Sequence, residues 1–592
     1  MKKNIYLFGI MLLGGAMLSS CNDMLDKEPL DSFTNSPTFW NNPSSVEGYA
    51  ATFYNLFVGY GNPGNGDFYF ESLTDDQAGA SFENWKYTNT PAINTNWTAT
   101  YTEIRRANAM IESLNTMATE MDEDTKNHWL GVARLMRGWQ HWDLVRKFGD
   151  CVWVDHVPNV DDPILYAARD DRDAVMDHVL EDLQFACNNI NEEGTGVKTT
   201  WSRNMARALA ADVCLWEGTF RKYRTAEENG KGPDEAGAQK FLQYCVELCE
   251  PLMAAYQLSD DYHAIYNSTS LASNSEIIFC KEYLQDIFEH STIDYTCTST
   301  QQDGMTKDAF DSYLFLDGQL KANTSYDTSN DVPVYKLSAN DNSQHLNIKH
   351  MLEMRDRRLG ITVDTILCYT GTGGGWPRVA GGMAMTSSTG YTISKYDNVT
   401  IDPAYRQNTF SNYTWCPLYW VSVVYLNYAE AKAELGTITQ TDLDNTINKL
   451  KTRAGLPSIT LGVNLNDPKK PGNVSSLIWE IRRERRCELM FDNDFRYWDL
   501  IRWHMLDKLD TTRPENVDIT LGANLVNDNG MYDGTLVPTE GGEYIDAYTI
   551  GGTNYDRVYN VKHYLYPIPT NEITLNGNLG QNTGWSLTSS EE

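Results

Sequence analysis

The sequence predicts a mainly α fold, with helical hairpins of tetratricopeptide type stacked into a superhelix and a loop-rich, irregular insertion set into it. Three observations carry this. Apolar residues recur at helical spacing through two blocks, about 97–256 and 418–509. Alanine and bulky aromatic residues alternate within those blocks, so neighbouring helices can approach closely. Between the blocks the helical period fades, and Ser, Thr, Asn, Gly and Tyr take over. A clean repeat of about 34 residues is not visible, so the hairpins are read from paired helices and short loops.

Residues 1–20 read as a targeting peptide. Lys2 and Lys3 supply a positive start, and Ile5 to Leu18 form an apolar stretch too short to span a bilayer comfortably. Leu18-Ser19-Ser20-Cys21 then matches a bacterial lipobox. The mature chain is expected to begin at an acylated Cys21 and to be anchored to a membrane by lipid. No other apolar run approaches about 18 residues, so no transmembrane helix is expected.

Residues 21–256 hold the first helical block. Leu135, Trp139, Trp142 and Val145 share one helix face, and Gly149 stands where a C-terminal cap belongs. Val175, Val179, Leu183 and Ala186 stripe a helix over 170–190. An Ala-rich helix over 204–223 and another over 241–255 follow, parted by Asn229-Gly230-Lys231-Gly232-Pro233. Residues 257–416 form the insertion, with a Gly-rich stretch from Gly371 to Gly390 around Trp376. Loops held on rigid elements are where binding surfaces usually sit. Residues 417–592 complete the scaffold, with helices over 425–435, 442–454 and 475–491. A last helix, capped by Asn493 or Asp494, carries Trp498, Leu500, Ile501 and Trp503.

With 592 residues, 41% apolar and 22% charged, the chain has the composition of a folded protein rather than a disordered one. Acidic residues outnumber basic ones 80 to 48, a net charge of −32 that repels phosphate backbones and argues against nucleic-acid binding. Among the 11 cysteines, Cys187, Cys214, Cys245, Cys249 and Cys487 fall in helices and read as small buried hydrophobes rather than a disulfide framework. Cys245 and Cys249 share a helix face, yet no His or Cys pair follows at zinc spacing, so neither a structural metal nor a cofactor is expected.

No catalytic constellation emerges, and the chain is expected not to be an enzyme. Gly371-Thr372-Gly373-Gly374-Gly375-Trp376 lacks the Lys-Ser/Thr of a phosphate loop and has Trp where a dinucleotide fingerprint needs its last Gly. Asp75-Asp76 and Asp161-Asp162 are adjacent acids, but a glycosidase pair is defined by separation in space. The run Arg482-Arg483-Glu484-Arg485-Arg486 stands out in so acidic a chain. It either holds an anionic ligand or pairs with acids across packed helices, and the second reading names Glu488, Asp492, Asp494 and Glu430 as partners. Glu430 lies on an Ala-rich face, a poor place for a solvated charge. It is expected to be buried and paired with Arg453 or one of Arg482 to Arg486.

A family resemblance runs through nearly the whole mature chain. It begins with Cys21-Asn22-Asp23-Met24-Leu25-Asp26-Lys27-Glu28-Pro29, Phe39-Trp40, and Trp97, Tyr101, Ile104 and Asn108. It continues in Ala133-Arg134-Leu135-Met136-Arg137-Gly138, Leu144-Val145-Arg146-Lys147-Phe148-Gly149-Asp150 and Arg355-Asp356-Arg357-Arg358-Leu359. Tyr425-Leu426-Asn427-Tyr428-Ala429-Glu430-Ala431, Arg453-Ala454-Gly455-Leu456 and Glu484-Arg485-Arg486-Cys487-Glu488-Leu489 follow. Arg496-Tyr497-Trp498-Asp499-Leu500-Ile501-Arg502-Trp503 and Tyr566-Pro567-Ile568-Pro569 with Asn571-Glu572-Ile573 complete it. In order and spacing these pieces resemble the SusD/RagB family of nutrient-binding outer-membrane lipoproteins of Bacteroidetes. Asp23, Asp26 and Glu28 likewise resemble the acidic surface-export tag of Bacteroidetes lipoproteins. Two departures stand out. Phe491-Asp492-Asn493 replaces the usual Phe-Glu-Gly, with Asn493 expected to keep the left-handed turn, and Thr583 replaces a proline in Gln581-Asn582-Thr583-Gly584-Trp585.

The resemblance implies a surface-exposed, outer-membrane glycan-binding lipoprotein that delivers oligo- or polysaccharide to a SusC-like TonB-dependent transporter without hydrolysing it. The alternative it leaves open is a peptide-uptake subunit of a RagA/RagB-type importer. A sugar ring packs its C–H face on Trp or Tyr while its hydroxyls need polar partners. Trp97, Trp139, Trp142, Trp498 and Trp503 fall on helical stripes and belong to the core. That leaves the aromatics outside helices as ligand contacts: Trp85 and Tyr87, with Asn84 beside them, in the loop before the first long helix, and Tyr283, Tyr295 and Trp376 in the insertion. The family's ligand platforms are commonly built from the same two regions.

Overall fold

The computed structural model describes residues 35–588 apart from 62–72, 80–81, 291, 293–300, 338–343, 370–385, 407–410, 493, 529, 531, 533, 540 and 549–555. The targeting peptide, Cys21, Asn493, Tyr295 and Trp376 lie outside the described residues.

Five long helices form the first block: α1 (Thr95–Met117), α2 (Glu123–Phe148), α3 (Arg172–Asn189), α4 (Arg203–Tyr223) and α5 (Glu235–Ala255). Each begins at a short polar residue whose side chain accepts a first-turn N–H: Asn94, Asp122, Asp171, Ser202 and Asp234 in turn. Gly149 closes α2 at φ 73°, a conformation that favours glycine. The helices pack as successive neighbours, α1 on α2, α2 on α3 and α4 on α5. A small residue permits one of these approaches. A Cβ at Gly218 of α4 would stand 2.6 Å from Leu242 Cγ of α5.

The second block is α6 (Val421–Glu434), α7 (Gln440–Asn445), α8 (Ile447–Arg453), α9 (Ser476–Glu488) and α10 (Phe495–Arg502). α6 packs on α5 and α9, and α10 returns to α4, which ties the two blocks together. Several helices differ from expectation: α5 starts at Glu235 rather than 241, and α6 at Val421 rather than 425. The helix over 442–454 is two, because Thr446 leaves helical geometry (φ −129°, ψ −94°) and its hydroxyl bonds back to the Asp442 carbonyl. α9 ends at Glu488, since Phe491 is left-handed (φ 68°). Asp494 stands at the start of α10 with φ 57° and no side-chain capping bond, so the left-handed residues described in this turn are Phe491 and Asp494.

Short strands in and beside residues 257–416 join in small ladders: β1 (Gln77–Ala78) with β4 (Gly304–Met305), β2 (Ile277–Lys281) with β8 (Cys416–Trp420), β3 (Gln301–Gln302) with β7 (Thr386–Ser387), and β5 (Val334–Leu337) with β6 (Gln344–Asn347). All are antiparallel but β3–β7, which is parallel. Near the C-terminus β9 (Leu521–Asn524), β10 (Leu536–Thr539) and β11 (Gly542–Asp546) make a three-stranded antiparallel sheet. Among the described residues no helix is long and apolar enough to cross a membrane. All nine described cysteines are buried, and the five on helices are free thiols.

Buried ion pairs run between the elements. Arg137 of α2 grips Asp182 of α3 at 2.7 Å through both Nε and Nη2 while Nη1 donates to Asn108 of α1. Glu430 is fully buried, as expected, but its partner is Arg502 of α10 at 2.6 and 2.8 Å, with Trp503 Nε1 donating at 2.6 Å. The arginines of α9 do pair with acids, though not with those expected. Arg482 meets Glu434, Arg483 meets Asp467 and Glu480, Arg485 meets Asp499, and Arg486 meets Asp76 and Asp308. Successive residues on a helix are turned about 100° apart, so neighbouring arginines reach different elements. Glu488 is taken by Arg358 and Arg453, and Asp492 by Lys395.

Candidate ligand-binding site

Backbone from distant parts of the chain meets at one patch. β1 and β4 pair Gln77 with Met305 and Ala78 with Gly304, and Gly304 also bridges to Thr392. Ser388 Oγ donates to the Ala78 carbonyl at 2.5 Å, and Ala523 N to the Thr389 carbonyl at 2.7 Å. Phe82 meets the Tyr548 ring edge-on at 5.0 Å. Ala78, Phe82 and Tyr548 thus come together, with Ser388 bonded beside them.

Beneath this patch lies a lattice of charge. Arg496 holds Asp75 through two bonds of 2.7 Å, Arg486 holds Asp76 and Asp308 at 2.7 Å each, and Lys508 adds a bond of 2.6 Å to Asp75. Burial pushes the Asp75 carboxyl up, but Arg486, Arg496 and Lys508 outweigh it and hold the group well below the usual carboxylate range. Asp75 and Asp76 are therefore partners in a structural lattice, although burial and the neighbouring Asp75 push the Asp76 carboxyl up against the pull of Arg486. In the other adjacent pair, Asp162 caps the turn Pro163–Tyr166 and bonds His156.

The expected contacts scatter. Asn84 is exposed, and its side-chain oxygen accepts from the Trp85 N–H. Trp85 is not exposed. It stacks on His563 at 4.2 Å and donates Nε1 to the Val558 carbonyl, leaving 7% of its surface open. Tyr283 is likewise buried, stacked on Phe288 at 5.0 Å with its hydroxyl donating to the Gly61 carbonyl. The expectation that these two present open faces is corrected. Both residues lack helical periodicity, but a large apolar ring on a loop is drawn onto the scaffold by the area it buries. Tyr87 is half-buried, edge-on to Tyr566 at 4.9 Å. Asn84, Trp85 and Tyr87 share one neighbourhood along residues 558–566, while Tyr283 sits apart against Tyr60 and His290.

An aromatic cavity of about 260 Å³ opens instead between α2, α4, α10 and β8. Trp97, Trp142, Trp498 and Trp503 are buried as expected, but Trp139 is only half-buried and stacks on Phe57 at 4.9 Å in the cavity wall. The Arg146 guanidinium lies between the rings of Trp142 and Trp498, 4.3 and 4.2 Å from their centroids, and Asp143 holds it at 2.7 Å. Asp212, also in the wall, accepts from Asn427; burial pushes its carboxyl up to about 6, against the pull of Arg485. Helical periodicity hid this cavity, although the spacing of Trp139, Trp142 and Arg146 carried it. Among the described residues no group of three or more His, Cys, Asp or Glu is arranged to hold a metal.

The same architecture occurs in solved structures. A SusD-like carbohydrate-binding protein of Bacteroides fragilis superposes with a TM-score of 0.66 at 18% identity, over 92% of this chain and 100% of its own. Another SusD-like protein of Bacteroides fragilis gives 0.63 at 20% identity, over 94% and 100%. Surface glycan-binding protein A from Bacteroides fluxus gives 0.57 at 15%, over 92% and 100%. No curated protein gives a significant match. In sequence, the model described as starch-binding associating with outer membrane matches residues 23–215. The SusD family model matches residues 275–585, more than half the chain, and the protein therefore belongs to the SusD family.

Proposed function

We propose that the protein is a surface glycan-binding lipoprotein that captures oligo- or polysaccharide and passes it to a SusC-like TonB-dependent outer-membrane transporter, without cleaving it. The SusD family match over residues 275–585 carries the reading. It is supported by neighbours named for carbohydrate or glycan binding and by the match described as associating with the outer membrane. The adjacent acids Asp75 and Asp76, committed to Arg486 and Arg496, fit binding better than acid–base chemistry. In this reading Cys21 carries the lipid anchor, and the loops around the β1–β4 patch hold the glycan. Asn84, Tyr87, Tyr295 and Trp376 are then the ligand contacts, with Trp85 packed beside Asn84 and Tyr87. Several modest contacts along one chain of sugars add through avidity. Calorimetry against a panel of polysaccharides is expected to find at least one binder with no release of reducing ends. Binding to none of them, or turnover by the pure protein, overturns the reading.

A further inference from the structure

The arginine run leaves a space that its own ion pairs do not fill. Beneath Trp503 and Met505 is a cavity of about 30 Å³. Its wall carries five cations, Arg482, Arg483, Arg486, Arg496 and Lys508, and among the described residues none that lines it is acidic. The carboxylates that pair with these cations stand outside that wall. Trp503, Met505 and Lys508 also border a wider cleft of about 500 Å³, of mixed charge, whose wall includes Tyr223, Lys469, Arg513 and the acids Asp308, Asp507 and Glu515.

Arg482 is the least satisfied of the five. It is 2% exposed, with its guanidinium between the rings of Tyr223 and Trp503, 4.7 and 4.6 Å from their centroids. Nη2 donates to Glu434 Oε1 at 3.2 Å, Nη1 reaches the Met505 thioether at 3.9 Å, and Nε is buried without an acceptor among the described residues. A thioether is a weak acceptor, and a buried charged donor without a good one is costly. Lys508 is crowded as well. Burial, helped by Arg486 and Arg496, holds its ammonium below the ordinary lysine range despite Asp308 and Asp75. An anion in the cavity supplies acceptors to the one and relief to the other. A single water needs roughly 10–15 Å³, so the space admits a two-oxygen group, and the adjoining cleft is of the size that holds a small molecule.

We propose that this cavity is a carboxylate-binding site, with the body of the carboxylate-bearing ligand lying in the wider cleft against Trp503. The proposal does not rest on the glycan reading. Calorimetry on the full chain at constant ionic strength tests it, with glucuronate, acetate and glucose as probes. Glucuronate is expected to bind, acetate to compete with it, and glucose to give no heat. Arg482→Met and Lys508→Met are each expected to weaken glucuronate by about tenfold or more. Both variants leave the buried acids paired: Glu434 keeps Lys222 and Tyr223, Asp75 keeps Arg496, and Asp308 keeps Arg486 and Lys469. Glucuronate binding no tighter than glucose, sulfate binding without carboxylate binding, or unchanged affinity in both folded variants overturns the proposal. Should neither variant fold, the wild-type comparison and the acetate competition decide it.

Discussion

Between α6 and α10, the fully buried Glu430 receives two bonds from Arg502 and one from Trp503, all from side chains on or beside rigid helices. At the loop patch, β1 and β4 hold each other through two residue pairs of backbone, and β3 and β7 through two more. The first arrangement depends on which side chains are present. The second depends mainly on main chain and leaves the attached segments free to vary in sequence. Scaffold substitutions therefore act on stability, and loop substitutions on recognition.

Glu430→Ala strikes the scaffold hardest. It strands Arg502 with only Asp499 as carboxylate partner and leaves the Trp503 indole without its acceptor. The expected loss is about 3–5 kcal/mol, read from urea or thermal unfolding, with glycan affinity unchanged in the folded protein. An unaltered unfolding midpoint would remove Glu430 from the account. Trp85→Ala follows at about 3 kcal/mol, because the ring fills a buried stack against His563 although it lies on a loop. A near-neutral result there would return Trp85 to the ligand-facing side of the comparison.

The pH dependence separates two acids within the scaffold. Asp212 has a folded pKa near 6, above its ordinary 3.8, so its charged form is disfavoured in the fold. That penalty is complete above pH 6 and fades as pH falls towards 4. Asp212→Asn is therefore expected to stabilise the protein by about 3 kcal/mol at pH 7, with the advantage vanishing near pH 4. Glu430 runs the other way. Arg502 outweighs the burial that opposes it and lowers its pKa from 4.5 to about 2, so its contribution is full above pH 4.5 and is lost as pH falls to 2. Urea midpoints at pH 7, 5 and 4 check the first sign, and a gap that widens on acidification contradicts it. The smallest effects belong to the loops. Tyr295→Ala and Trp376→Ala are each expected to weaken glycan binding about tenfold, roughly 1.4 kcal/mol, with the melting temperature unmoved.

The sequence made the scaffold legible because a helix repeats its apolar positions and marks its ends. The stripe through Leu135, Trp142 and Val145, the cap at Gly149 and the Ala-rich faces each correspond to an observed feature. Burial of Glu430 followed from its neighbours on the helix. Its partner did not, because pairing depends on how α6 and α10 cross rather than on either helix alone. The same holds for Arg482 to Arg486, whose acids come from distant elements such as Asp75, Asp76 and Asp308. The ligand contacts were the least legible. Absence of helical period does not distinguish a loop ring that faces solvent from one like Trp85 or Tyr283 that packs inward. The half-buried Trp139 shows the converse, a residue on a perfect helical stripe that walls a cavity.

The separation of scaffold from recognition is tested most directly by native gel electrophoresis through a polysaccharide that binds, below the melting temperature of every variant. Wild type, Glu430→Ala and Trp376→Ala are run side by side with a polysaccharide-free control. The account predicts that Glu430→Ala is retarded as wild type is, that Trp376→Ala migrates faster, and that the polysaccharide is not shortened. Full retardation of Trp376→Ala together with loss of retardation in folded Glu430→Ala would contradict it.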